Sequence, residues 1–383
     1  MNAGFPKILF CGPGGRPSPS DWSGIPFHLS RALEALTAVE YLDVPGRYSR
    51  PYPRVHPSFL WRRVLGKWTP LRDRALVKGL GQRIARAAPD PGVVCFATNS
   101  TPFAFLPPPF RAAYFHDAVM DQYYRLYGMD RHLSAWDMAR ERRLEQRALE
   151  RAEAIFYSSE WAAAECRRRL PPDQRGKACV VGMGANLALP SRPLAPRPAL
   201  PRLLWVGSDW PRKGGDLVLD LFSRVRAAHP RAELTLVGAV PEEVPLPEGC
   251  RRVPFLNKTR GEDYRRAAEI YESHDFLVHP TRADCSACVA SEAQLYGCLP
   301  LTSRVGGVPE LVAQGRTGHS FELGEYVARA EEAIRELCAD AAAFARMREA
   351  AREHALACLT WDRIALKILG RLAVAPGGRP GHT

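Results

Sequence analysis

Short apolar runs alternate with amphipathic stretches along most of this chain, and the alternation restarts once. Residues 7–11, 41–44, 93–97 and 114–116 read as strands. Helical periodicity covers 26–36, where Leu29, Ala32, Leu33 and Leu36 share a face, then 72–87 and 138–151. A strand at 154–157, a helix at 160–169 and a strand at 179–181 complete the first half. Five prolines between 187 and 202 then break regular structure. Beyond them come strand 203–207, helix 215–229, strand 233–237, helix 264–273 and strand 276–279. Helix 290–296, strand 299–302 and amphipathic helices at 326–338 and 342–358 come next, with a last helix ending near 372.

Two successive strand–helix halves predict an α/β protein of two Rossmann-like domains with parallel sheets facing a cleft. In such sheets ligands bind outside the carboxyl ends of the strands. The expected division is 1–186, a Pro-rich linker 187–202, and 203–359, with a tail helix at 360–375 packing back on the first domain. The 383 residues are enough for two separate cores.

Composition narrows the class. No apolar run reaches eighteen residues, so no transmembrane helix is expected, and the N-terminus does not read as a signal peptide. The ten cysteines follow no framework spacing and are expected as thiols in a cytoplasmic protein. Cys285 and Cys288 form a C-x-x-C, but with no second such pair or paired histidines nearby a metal site is disfavoured.

The net charge of +12 is concentrated: residues 47–86 hold eleven Lys and Arg against the single acid Asp73, interleaved with Tyr52, Phe59, Trp61 and Trp68. Such a surface suits lipid headgroups, phosphorylated substrates or nucleic acid, or is simply a solvated Arg-rich face. No nucleic-acid-binding motif accompanies it, so peripheral contact with an anionic membrane is the expectation.

The candidate chemistry lies at strand ends. Lys213, with Arg212 before it and Gly214-Gly215 after it, sits in a strand–loop–helix unit that presents backbone N–H groups and cations to a diphosphate. A surface turn gives the same sequence. The N-terminal loop holds Gly12, Gly14, Gly15 and Gly24, but not in the G-x-G-x-x-G spacing of a dinucleotide site. His116, at a strand end and followed by Asp117, is either a structural histidine or a cleft residue. Asp284 and Glu292 stand eight positions apart, the first in a loop after a strand and the second on a helix, where they can accept hydrogen bonds from several hydroxyls.

Together these residues resemble the retaining glycosyltransferases of family 4, which have the GT-B fold. Asp284 stands for the family's first acid. Glu292-Ala293, Gly297, Pro300, Gly306-Gly307-Val308-Pro309-Glu310 and Thr317-Gly318 match the rest of the family's pattern, and Val206-Gly207 with Lys213-Gly214 fits the donor-diphosphate segment. Ser23-Gly24 with His28 looks like the N-terminal loop and helix. Residues 158–163 and 184–186 are similar to a bacterial branch of the family.

The resemblance implies metal-independent transfer of a hexose from a UDP- or GDP-sugar to a glycan or lipid-linked acceptor, as in cell-envelope polysaccharide synthesis. It gives Glu292 the ribose hydroxyls and Asp284 those of the transferred sugar. It aims the N–H groups of Ala287, Cys288 and Val289 at sugar and phosphate, and sets Lys213 to stabilise the departing diphosphate. His116 accepts a hydrogen bond from the sugar, and Gly24 lets its loop close on the phosphates. Three departures stand out: Ser208 where the family has Arg, leaving Arg212 as a substitute cation; Asp for Glu at 284; and Ser286-Ala287 for an aromatic and Gly. They keep open a catalytically weak, sugar-nucleotide-binding partner protein.

Overall fold

The computed structural model describes residues 4–45, 73–195, 198 and 200–374. Most of the basic segment, 46–72, lies outside the described residues; the rest includes the helix Arg74–Ala87, started by Asp73, whose Oδ1 accepts from the N–H groups of Ala75 and Leu76 at 2.8 and 3.0 Å. Contacts divide the described residues into two compact units: 4–21, 26–45, 73–181 and 365–374 in one, 22–25 and 182–364 in the other. Among the described residues no helix is long and apolar enough to cross a membrane.

The first unit is built on six strands: β1 (Ile8–Gly12), β2 (Val39–Asp43), β3 (Val94–Ala97), β4 (Arg111–His116), β5 (Ala154–Tyr157) and β6 (Ala178–Val180). They pair in parallel in the order β2-β1-β3-β4-β5-β6. The central strands are apolar throughout because helices cover both faces, which is why β3 and β5 read as continuous runs rather than alternations. Helix Arg74–Ala87 turns Val77, Leu80, Gly81 and Ile84 inward at the spacing of one helical face. Within this unit the last helix is tied down by Arg111, which donates to the Leu372 carbonyl at 2.7 Å, and by Lys367, which donates to that of Val181 at 3.2 Å.

The second unit repeats the plan with β7 (Arg202–Gly207), β8 (Glu233–Gly238), β9 (Cys250–Val253), β10 (Phe276–His279), β11 (Leu299–Ser303) and β12 (His319–Phe321). The order is β12-β11-β10-β7-β8-β9, again all parallel. The chain steps outward from β7 to β9, then returns to β10 and steps out on the other side. The reversal falls between β7 and β10, and it is at the carboxyl ends of strands beside such a reversal that open α/β sheets take their ligands. The core beneath joins Leu203, Trp205 and Phe276 from the sheet to Val218, Leu221 and Phe222 of helix Gly215–Ala228.

The described part of the Pro-rich stretch 187–202 belongs to this unit. Prolines leave carbonyls without a ladder to join, and side chains take them up: Tyr296 donates to the Ala188 carbonyl at 2.9 Å, and the buried Arg348 to that of Ala195 at 3.0 Å.

Candidate functional site

The loops after β7 and β10 meet at the reversal. After β7 the chain turns at Asp209–Gly214, and the Lys213 N–H closes the turn on the Asp209 carbonyl at 2.9 Å. Gly214, at φ +68°, ends the turn and opens helix Gly215–Ala228; a Cβ there would lie 2.1 Å from the Pro280 carbonyl oxygen, so only glycine lets the two loops come this close. They are also joined by the Arg282 N–H to the Arg212 carbonyl at 2.7 Å, and by the Arg212 guanidinium to the Ala283 carbonyl at 2.8 Å. Arg212 reaches Asp209 as well, at 3.1 Å.

This brace sets Lys213 against Asp284, and the two form an ion pair through Oδ2. His279, the last residue of β10 and fully buried, contacts the same oxygen through Nε2 at 3.3 Å. Burial works against the charge on Asp284, but the Lys213 ammonium and the His279 hydrogen bond outweigh it and hold the carboxyl at about 2. Burial, and then the Lys213 charge, keep His279 below its ordinary value. It is therefore a neutral imidazole donating from Nε2, and its Nδ1 has no partner among the described residues. Oδ2 of Asp284 is thus committed to the protein.

Ala287 is the N-cap of helix Cys288–Leu295, which starts two residues before the 290–296 expected from periodicity. The reason is local: Asp-Cys-Ser-Ala-Cys carries no apolar repeat that would mark the first turn. The N–H groups of Ala287, Cys288 and Val289 therefore stand where no intrahelical carbonyl exists for them, the end of a helix that favours anions. Gly306, at φ +56°, packs behind this loop; a Cβ there would lie 2.2 Å from the Asp284 carbonyl oxygen.

Glu292, one turn along the same helix and 1% exposed, accepts from the Tyr271 hydroxyl at 2.9 Å on Oε2 and pairs with Lys258 through Oε1. Burial and the neighbouring Glu292 charge push the Tyr271 phenol well above its ordinary value, so it stays a donor.

Gly24 follows two non-glycine residues in the left-handed region, Trp22 (φ 38°) and Ser23 (φ 59°), and itself has φ 87°. The Ser23 carbonyl accepts from the Asn186 amide at 2.8 Å, and Asn186 in turn accepts from the Trp361 indole at 2.7 Å. In the first unit, His116 closes β4; its Nδ1 accepts from the Ala118 N–H at 3.2 Å and lies 3.3 Å from Asp117. Among the described residues no group of three or more His, Cys, Asp and Glu side chains is arranged to hold a metal ion.

Sequence reasoning brought Lys213, Asp284 and Glu292 forward but missed Lys258, Tyr271 and His279. His279 did carry a signal, since it ends a strand beside the reversal just as His116 ends β4. Lys258 and Tyr271 carried none: one lies in a polar loop, the other on an ordinary amphipathic helix.

Residues 200–340 match the family model described as glycosyl transferases group 1. This stretch lies within the second unit. It contains the reversal and the pairs Lys213–Asp284 and Lys258–Glu292. Among curated relatives, the chain is similar to the glycogen synthase of Mycobacterium tuberculosis, 31% identical over 173 residues, 44% of this chain and 42% of the relative. It is also similar to the D-inositol 3-phosphate glycosyltransferase of Streptomyces avermitilis, 30% identical over 220 residues, 50% and 46% of the two. The chain thus spans less than half the length of these relatives.

Two solved structures extend the likeness beyond residues 200–340. Anabaena HepE in complex with UDP and glucose superposes with a TM-score of 0.63 at 16% identity, covering 96% of this chain and 99% of that one. Sucrose-phosphate synthase from Thermosynechococcus elongatus does so with 0.64 at 17%, covering 96% and 98%. The fold, with its two parallel six-stranded sheets, is GT-B.

Proposed function

We infer that this chain is a retaining glycosyltransferase that moves a hexose from a nucleotide-diphosphate sugar to an acceptor hydroxyl on a glycan or lipid-linked substrate. The observation that carries the reading is the Lys213–Asp284–His279 cluster at the carboxyl ends of β7 and β10, where a parallel sheet receives ligands. The group 1 match over 200–340 supports it, as do the UDP and glucose bound to HepE and the similarity to a glycogen synthase.

In this reading Lys213 keeps one N–H on Asp284 and turns others to the departing diphosphate, supplying the charge stabilisation that metal ions give elsewhere. The first-turn N–H groups of Ala287, Cys288 and Val289 add to it, with Arg212 beside them. Oδ1 of Asp284 accepts from a sugar hydroxyl. Glu292 takes the ribose hydroxyls, Gly24 gives its loop room to approach the phosphates, and His116 accepts from the sugar. The bond from the anomeric carbon to the diphosphate oxygen breaks. The acceptor oxygen bonds to the same face of that carbon, and its proton passes to the leaving phosphate oxygen. The acceptor is presented at an anionic membrane contacted by 47–86.

The test is a transfer and hydrolysis assay with UDP- and GDP-sugars, after a thermal-shift screen of the nucleotides. Full turnover in Lys213→Ala or Glu292→Ala overturns the site. A second reading, a sugar-nucleotide-binding partner protein of weak activity, is favoured by Ser208 and by the shorter acid at 284. Calorimetric nucleotide binding without turnover on any acceptor selects it.

A further inference from the structure

In the proposed transfer Lys213 meets the diphosphate and Asp284 the sugar, whereas His279 meets Asp284. The His279 backbone is held by the sheet: its N–H donates to the Tyr326 hydroxyl at 3.0 Å, and that hydroxyl donates in turn to the Leu301 carbonyl of β11 at 2.6 Å. Between His279 and Asp284 the chain doubles back so that the carboxylate reaches the imidazole. The Ser303 hydroxyl donates to the Thr281 carbonyl at 2.6 Å, and the Thr281 hydroxyl to the Ala283 carbonyl at 3.2 Å.

As a packing residue the imidazole is a poor choice. Asp284 keeps its charge, so Nε2 carries the proton shared with Oδ2, and Nδ1 is a bare acceptor, buried with no partner among the described residues. A polar atom left unpaired in the interior costs its desolvation, a cost that an apolar side chain of similar volume does not carry. The use of an imidazole here therefore lies in Nε2.

Nε2 reaches the same oxygen of Asp284 as Lys213 does, but the two donors are not equivalent. A lysine arrives on a flexible four-carbon stem and does not by itself fix the rotation of a carboxylate. The imidazole turns on two torsions, is fully enclosed, and starts from a strand whose end is tied to its neighbour. The carboxylate takes its orientation from the ring, and the ammonium takes its place from the carboxylate.

We propose that His279 is a positioning residue of the transfer step, which fixes Oδ2 of Asp284 and so sets where the Lys213 ammonium stands as the diphosphate departs. This rests on the reading of the cluster as a donor site, and adds to it a residue that acts through Asp284 and Lys213 rather than on the ligand.

The experiment compares His279→Leu and His279→Gln with the wild-type full chain in three measurements: turnover of UDP- and GDP-sugars, calorimetric binding of UDP and GDP, and the urea midpoint. His279→Leu is expected to lower kcat about tenfold or more, the size of a lost hydrogen bond to a charged group, while the nucleotide binds within about threefold of wild type. His279→Gln keeps an N–H donor together with a second buried polar atom, and is expected to recover kcat to within about threefold of wild type. The two variants then rank in opposite order, His279→Leu the more stable and His279→Gln the more active, which a role in packing alone does not produce. Full kcat in His279→Leu, or kcat that follows the urea midpoint across both variants, overturns the positioning role and leaves the donor site standing. A wild type that binds neither nucleotide, or binds one and turns over no UDP- or GDP-sugar, overturns the transfer reading itself, and this role with it.

Discussion

The two acids of the second unit are both buried, both paired with a lysine and both held by a second neutral donor, yet they are built differently. Asp284 sits on a loop, and its loop is fixed by close backbone approaches at Gly214 and Gly306. Glu292 sits on a helix, and only side chains secure its carboxylate. The second donor differs too. At Asp284 it is His279, an imidazole that burial holds below its ordinary value; at Glu292 it is Tyr271, which burial keeps protonated. One end of the site thus depends on loop geometry and proton balance, the other on a helix and a phenol. In the proposed reading, the first end handles the group that leaves and the second an unreacting handle.

The sharpest test is at Lys213. If it carries the leaving diphosphate, Lys213→Ala lowers kcat about a hundredfold or more in a transfer assay, the magnitude typical for loss of one preorganised charge partner. The matching change at the other end, Tyr271→Phe, removes a hydrogen bond to a charged group and is expected to weaken nucleotide binding about tenfold with a smaller effect on kcat. Equal losses in kcat from the two would erase the distinction.

Next in size is Gly306→Ala. The added methyl meets the Asp284 carbonyl in a left-handed turn and costs about 2 kcal/mol in chemical denaturation. Transfer falls while nucleotide binding at the Glu292 end is largely kept.

The smallest effect is in pH dependence. Asp284 has its folded value at about 2, below the ordinary carboxylate value, so its pairing contributes stability that is complete above pH ~4 and lost as pH falls through 2. His279 acts in a higher window. Its folded value is lowered, so below pH ~6.5 the unfolded chain binds a proton that the folded one does not, and stability falls with falling pH. His279→Gln is therefore expected to flatten the stability profile just below about pH 6.5 in thermal melts, whereas Tyr271→Phe leaves its shape unchanged.

The sequence carried the fold well because the central strands are apolar without interruption and the helices keep a regular inward stripe. What it hid was at the margins. β9 reads Cys-Arg-Arg-Val, and its two arginines are exposed because it is an edge strand, so no apolar signal marks it. β12 has only three residues, and helix Met120–Leu126 seven, both too short for a period to emerge.

The site divides in the same way. Lys213 lies just past β7 beside two glycines, and Asp284 and Glu292 lie between the end of β10 and Gly297, where strand ends and turns leave a pattern in the sequence. Lys258 and Tyr271 act through long side chains that reach Glu292 from 34 and 21 positions away, and nothing local announces them.

The turn that holds Lys213 also carries its own optical reporter. The fully buried Trp205 donates its indole N–H to the Lys213 carbonyl at 3.1 Å, and Trp210, on the turn itself, stands edge-on to it with ring centroids 5.1 Å apart. Any ligand that draws Lys213 toward a diphosphate pulls on a hydrogen bond to a chromophore and shifts a second ring beside it. Tryptophan emission can therefore follow occupancy of this turn in unlabelled protein, on the millisecond scale of a stopped-flow mixer, with Trp205→Phe and Trp210→Phe as controls that each diminish the signal.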